Sequence, residues 1–167
     1  VKWRTASTTE SIVNFGSVQG NLSQSSVDLT PKIEHEVTIS GLNPDTKYYY
    51  ELANSSTTIL NGDSELYFKT SPEKGTQQSY KFWILGDPGT ANNNQRAVRD
   101  AYYNYAGNSH TDGILFLGDN AYNSGTDSEY QFAMFQNMYE DQLQNTVAWS
   151  CLGNHDGYTA DSDSQTG

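Results

Sequence analysis

The stretch Ile114 to Tyr122, ILFLGDNAY, decides how this chain is read. Four apolar residues run without a break, as a strand covered on both faces would, and then meet the turn dipeptide Gly118-Asp119. Tyr122 follows within the same turn, so a buried strand ends by presenting a carboxylate and a phenol. The event is repeated on either side. YKFWILGDPG (80–89) ends in Gly86-Asp87-Pro88-Gly89, and TVAWSCLGNHD (146–156) ends in Gly153-Asn154-His155-Asp156.

Helical patterns separate the three runs. NNNQRAVRDAYYNYAG (92–107) carries Ala97, Ala101, Tyr102 and Tyr105 at helical spacing and stops at Gly107. DSEYQFAMFQNMYEDQLQ (127–144) turns Tyr130, Ala133, Met134 and Met138 inward as core. Strand, helix, strand, helix, strand predicts a parallel sheet with right-handed crossovers. The C-terminal ends of such strands share one edge, where open α/β proteins bind ligands. Asp87, Asp119, Tyr122, Asn154 and His155 are therefore expected together.

Carboxylates gathered at one edge repel each other unless some protonate or cations enter. Asp87, Asp119 and a Tyr122 phenolate are hard anionic donors suited to a metal of high charge, while the neutral Asn154 carbonyl suits a divalent neighbour. A carboxylate can bridge two ions ~3.5–4 Å apart, the geometry that clamps a phosphoryl group for in-line attack.

Residues 1–72 have another period. VKWRTAS, SIVNFGS, HEVTISGL, KYYYELA and SELYFKT are short alternating runs separated by Ser, Asn, Gly and Pro, which predicts strands. In one of them Tyr48, Tyr50 and Leu52 share a face. Leu42-Asn43-Pro44-Asp45-Thr46-Lys47-Tyr48-Tyr49-Tyr50 resembles the tyrosine corner of fibronectin type III-like sandwiches. Residues 73–79 read as a linker. The fold class expected is two domains: an all-β fibronectin type III-like sandwich over 1–72, then over 80–167 the N-terminal βαβαβ part of an α/β domain.

Nine basic residues against twenty acidic ones give a net charge of −11, which excludes a nucleic-acid partner that needs clustered Lys and Arg. No apolar run approaches the ~20 residues needed to cross a bilayer, and no signal peptide opens the chain. Val1 already reads as part of a strand, so a soluble piece of something longer is expected. Cys151 is the single cysteine, which precludes an internal disulfide. The sequons Asn21-Leu22-Ser23 and Asn54-Ser55-Ser56 are compatible with a glycoprotein.

In order and spacing, Asp87-x-Gly89, Gly118-Asp119-x-x-Tyr122 and Gly153-Asn154-His155-Asp156 resemble the first three blocks of the purple acid phosphatases within the calcineurin-like metallophosphoesterases. The β-region resembles the N-terminal domain of the plant-type enzymes. The resemblance implies hydrolysis of small phosphate monoesters at acidic pH by a binuclear centre of Fe(III) and a divalent metal (iron, zinc or manganese), with metal-bound hydroxide as nucleophile. Asp87 and Tyr122 would bind the ferric ion, Asp119 would bridge, and Asn154 would bind the divalent one. His155 would contact the substrate phosphate or protonate the leaving oxygen, and Asp156 would orient it.

The family's two later blocks, with three histidine ligands, are not in this sequence. His35 is expected at the surface of the β-domain, and His110 at the edge opposite Asp119. A partial chain is therefore expected, inactive and poorly stable alone, whose partner is the rest of its own catalytic domain; a homodimer is allowed. The family places it as secreted or vacuolar/lysosomal. Alternatives are a phosphodiesterase or pyrophosphatase of the same superfamily, or a non-catalytic binding or adhesion module with a vestigial site.

Overall fold

The computed structural model describes residues 1–136 and 138–159. The chain divides into two compact units, Val1–Gln77 and Gln78–Gly167, the second closing on residues outside the described ones.

The first unit is an antiparallel sheet of β1 (Lys2–Gly16), β2 (Gln24–Glu36), β3 (Lys47–Ala53), β4 (Thr58–Leu60) and β5 (Tyr67–Lys69). The order is β2-β1-β3-β4, with β5 also on β3. Two expected strands, VKWRTAS and SIVNFGS, are one strand, β1, with register irregularities between Arg4 and Ser11. β2 lies where no strand was expected except at His35-Glu36. Its Pro31 is tolerated because β2 is an edge strand, where a missing N–H breaks no ladder. Val13, Phe15, Val37, Tyr48, Tyr50, Leu52 and Leu66 form the core, and the Tyr48 hydroxyl accepts the Asn43 N–H at 3.0 Å.

His35 is not a surface residue. It is 3% exposed, stacked on Trp3 at 4.6 Å, with its ring nitrogens 2.8 Å from the Ser11 and Thr5 hydroxyls. Both hydroxyls come from β1, which the sequence reading had divided between two strands. The burial of His35 depends on the pairing of β2 with β1, which sets it opposite Trp3 and which alternation within a single run does not show.

The second unit holds β6 (Phe82–Leu85), β7 (Gly113–Phe116) and β8 (Ala148–Ser150), all parallel and in that order, with β7 central. Trp83, Leu85, Ile114 and Phe116 face a core completed by Ala133, Met134, Met138 and Tyr139. On the opposite face Phe82, Ile84, Leu117 and Trp149 are about half exposed, because the described helical segments pack on one side only.

Helix α1 (Asn93–Ala106) starts at Asn92, whose side chain accepts the N–H groups of Asn94 and Gln95, and stops at Gly107 (φ 54°), whose N–H reaches the Tyr103 carbonyl. Its inward stripe differs from the expected one. Tyr105 is 81% exposed and Ala97 and Ala101 are exposed, while Gln95, Tyr102, Tyr103 and Ala106 turn inward. The reason is Gln95. Its amide accepts from the Ala91 N–H and donates to the Ala133 carbonyl and Tyr139 hydroxyl, so a polar residue that periodicity assigns to solvent sets the helix rotation.

The second helical segment is not one helix. It is α2 (Asp127–Tyr130), a π-helical turn (Gln131–Phe135) and α3 (Glu140–Leu143), interrupted where Gln136 becomes extended; Asn137 lies outside the described residues. The expected stripe survives the break: Ala133, Met134 and Met138 are core residues with Tyr130 packed against them.

Candidate metal centre

Three strand ends build the site. Leaving β6 and β7, the chain enters the left-handed region at Asp87 (φ 50°) and Asp119 (φ 55°), a conformation that Asp tolerates better than most side chains. The two loops are joined through backbone: Asp87 N–H donates to Gly118 O and Gly89 N–H to Asp119 O, each at 3.1 Å, and Tyr122 N–H to Gly89 O at 2.9 Å. A Cβ at Gly89 would stand 2.2 Å from the carbonyl carbon of Asn120, so only glycine permits this approach.

The Tyr122 hydroxyl lies between the carboxylates, 3.0 Å from Asp87 Oδ1 and 3.1 Å from Asp119 Oδ2. Burial, followed by these two acceptors, raises the phenol pKa well above its ordinary value. Two carboxylates and a phenol thus converge on one proton. Three oxygen donors short of positive charge fit a hard cation, which could take the place of that proton. Among the described residues, no three His, Cys, Asp or Glu side chains gather as a metal cluster, so the oxygen set consists of two carboxylates and the phenol.

β8 delivers the third loop. A Cβ at Gly153 would meet Asp119 Oδ1 at 2.1 Å, and the His155 N–H donates to the same oxygen at 2.9 Å. Asn154, between them, is exposed. The His155 ring tilts against Tyr122 with centroids 4.4 Å apart and meets Tyr158 edge-on at 5.1 Å. Its Nδ1 is 2.7 Å from the Asn123 carbonyl. A carbonyl only accepts, so Nδ1 is the donor, and in the neutral ring Nε2 offers the lone pair.

A family model described as purple acid phosphatase, N-terminal domain, matches residues 1–71. A second, described as calcineurin-like phosphoesterase, matches residues 80–166, more than half of the chain. The chain belongs to the purple acid phosphatases. Similar proteins include purple acid phosphatase 5 of Arabidopsis thaliana, 32% identical over 57% of this chain and 22% of that protein. Phosphoenolpyruvate phosphatase of Allium cepa is 30% identical over 77% of this chain and 25% of its own length. An acid phosphatase of Aspergillus ficuum is 41% identical over 35% of this chain and 9% of its own. The chain thus spans about a quarter or less of these curated relatives. Membership of the purple acid phosphatases implies a metal cofactor.

In this candidate site Asp156 is not bonded to the His155 ring, which it was expected to orient. Its buried carboxylate accepts the backbone N–H groups of Asn120, Ala121 and Gly153 at 2.8–3.1 Å and the Asn120 side-chain amide at 3.0 Å. Burial opposes its charge, but these donors outweigh burial and hold its pKa below the ordinary carboxylate value. Asp156 fastens the β8 loop to the β7 loop, and the His155 ring is held by Asn123 instead. Adjacency in sequence suggested an Asp–His pair, yet the turn sends the two side chains to different partners.

Sequence reasoning passed over Asn123 and Glu129. The signal was there: Thr126-x-x-Glu129 is a capping-box pattern, and the box forms in the structure at the start of α2. His110 lies in the connection between α1 and β7, at the entry to β7, whereas Asp119 follows its exit.

Proposed function

We propose that this chain supplies the first part of a phosphatase that hydrolyses phosphate monoesters of small molecules at acidic pH, using Fe(III) and a divalent metal (iron, zinc or manganese). The supporting observation is the Tyr122 phenol set between Asp87 and Asp119. Asp87 and Tyr122 would hold the ferric ion, Asp119 would bridge, and Asn154 would reach the divalent ion. When bound, the metals supply an activated water at mildly acidic pH and neutralise charge on the phosphoryl group.

His155 completes the reading from this chain's side. Nδ1 donates to the Asn123 carbonyl, which leaves Nε2 to take a proton and pass it to the leaving oxygen, or to bond the phosphate. The packing of Tyr122 on the ring couples the metal ligand to the acid. The remaining ligands come from beyond this chain's residues, so turnover needs the rest of the catalytic domain.

The domain reading belongs here too: a fibronectin type III-like sandwich over 1–72, a linker over 73–79, and a metallophosphatase domain over 80–167 that starts as βαβαβ. Support comes from the Tyr48–Asn43 hydrogen bond and the parallel order of β6, β7 and β8. Plant and fungal acid phosphatases among the relatives favour secretion or vacuolar residence. No described helix is long and apolar enough to cross a membrane.

Tyr122→Phe in the complete polypeptide tests the reading. It keeps the ring against His155 but removes the phenol. A visible absorption band in the wild type that disappears in the variant, with loss of aryl phosphate hydrolysis, is the expected result. A variant that keeps both colour and activity would overturn the assignment.

A further inference from the structure

The carboxylate of Glu129 is the acceptor for a whole loop. Asn123 N–H reaches one oxygen at 2.6 Å; Ser124 N–H (3.1 Å), Thr126 N–H (2.9 Å) and the Thr126 hydroxyl (2.9 Å) reach the other. One of these bonds, from the Thr126 N–H, belongs to the capping box of α2, whose other half is the Glu129 N–H donating to the Thr126 hydroxyl. A helix cap needs only Thr126, so the bonds to Asn123 and Ser124 ask for another explanation.

That explanation lies in one peptide unit. The bond between Asn123 and Ser124 offers its N–H to Glu129 and its C=O to His155 Nδ1 at 2.7 Å. In a trans peptide these groups point in opposite directions, so pinning the N–H aims the carbonyl. An anion at the N–H also polarises the amide, which strengthens the carbonyl as an acceptor. Thr159 adds a second tether to the same loop, its hydroxyl donating to Ser124 O at 3.1 Å.

We propose that Glu129 is a positioning residue for His155, acting through the Asn123–Ser124 peptide as a directly bonded carboxylate would: it holds the imidazole as the Nδ1–H tautomer with Nε2 free for substrate. The proposal rests on the role given to His155 under the proposed function, and it supplies what Asp156, committed to backbone donors, does not.

The test reads the tautomer directly from imidazole ¹⁵N shifts in the full metal-free chain, with only His35, His110 and His155 to assign. Wild-type His155 is expected as Nδ1–H alone. Glu129→Gln, which keeps the shape but not the charge, is expected to yield the mixture rich in Nε2–H that a solvated imidazole adopts. Thr126→Ala removes the cap but leaves the bonds of Glu129 to Asn123 and Ser124, and is expected to keep Nδ1–H while lowering stability. In the complete enzyme, Glu129→Gln should lower kcat about tenfold, less than the ~10²–10⁴-fold that a general acid–base group contributes in full, because the variant misplaces the imidazole without removing it. Wild-type His155 found as Nε2–H would overturn the proposal without any variant, as would a folded Glu129→Gln chain that keeps Nδ1–H. Because tautomer shifts require no turnover, they decide this point even if the complete protein proves not to be a phosphatase.

Discussion

At the residue scale, the two carboxylates of the site occupy backbone that most side chains avoid. Asp87 and Asp119 both have positive φ, and Asp119 also accepts the N–H of His155. Asp119→Ala loses that acceptor and puts a Cβ residue less suited to this region into it. The expected cost is about 1–2 kcal/mol in urea unfolding, from ~1 for the hydrogen bond and the part of the ~1–2 left-handed penalty that Asp escapes and Ala does not. Asp119→Asn keeps an acceptor and the tolerance for positive φ, so it should unfold within about 0.5 kcal/mol of wild type while losing metal uptake. A comparable loss of stability in both variants would mean that the charge, not the conformation, matters at this position. These residues were legible in the sequence because Gly-Asp and Gly-Asn after apolar runs mark strand ends. The role of Asp156 was not, because side-chain direction within a tight turn depends on the turn itself.

At the element scale, β1 and β2 are joined by a buried histidine. Burial first, and Lys32 second, hold the His35 pKa below its ordinary 6.5. A depressed histidine pKa means that the unfolded state takes up the proton more readily than the folded one. The contribution of His35 is therefore complete above pH 6.5 and is lost as pH falls below it toward the folded value. The urea midpoint of the first unit should drop over that interval, and His35→Gln should flatten the dependence; an unchanged slope would remove His35 as its cause. In the second unit, Met134→Ala should cost about 2–5 kcal/mol, since Met134 is buried against the sheet although its segment is not a continuous helix. Element type was legible wherever the apolar period was long and unbroken, as for β6 and β7. It failed at β2, whose polar composition and Pro31 hide a strand, and at α1, where buried Gln95 rotates the face. In both cases a tertiary contact overrode the local pattern.

At the scale of the whole molecule, the sheet has one finished face and one bare one. Ile84 and Trp149, 56% and 53% exposed, stand with Phe82 and Leu117 on the uncovered side. Apolar surface of this kind binds partners or other copies. The isolated chain should enhance the fluorescence of an apolar dye and self-associate, and Ile84→Lys with Trp149→Lys should reduce both without unfolding it; dye binding unaffected by the pair would place the exposed surface elsewhere. In the parallel sheet the strands stand in space as they stand in the chain, β6 beside β7 beside β8. During synthesis, no strand has to be inserted between two already laid down; each joins the free border of the last. Asp87, Asp119 and Tyr122 are therefore synthesised before Asn154 and His155, so pairing of β6 with β7 can bring the first three oxygens together before the β8 loop is made.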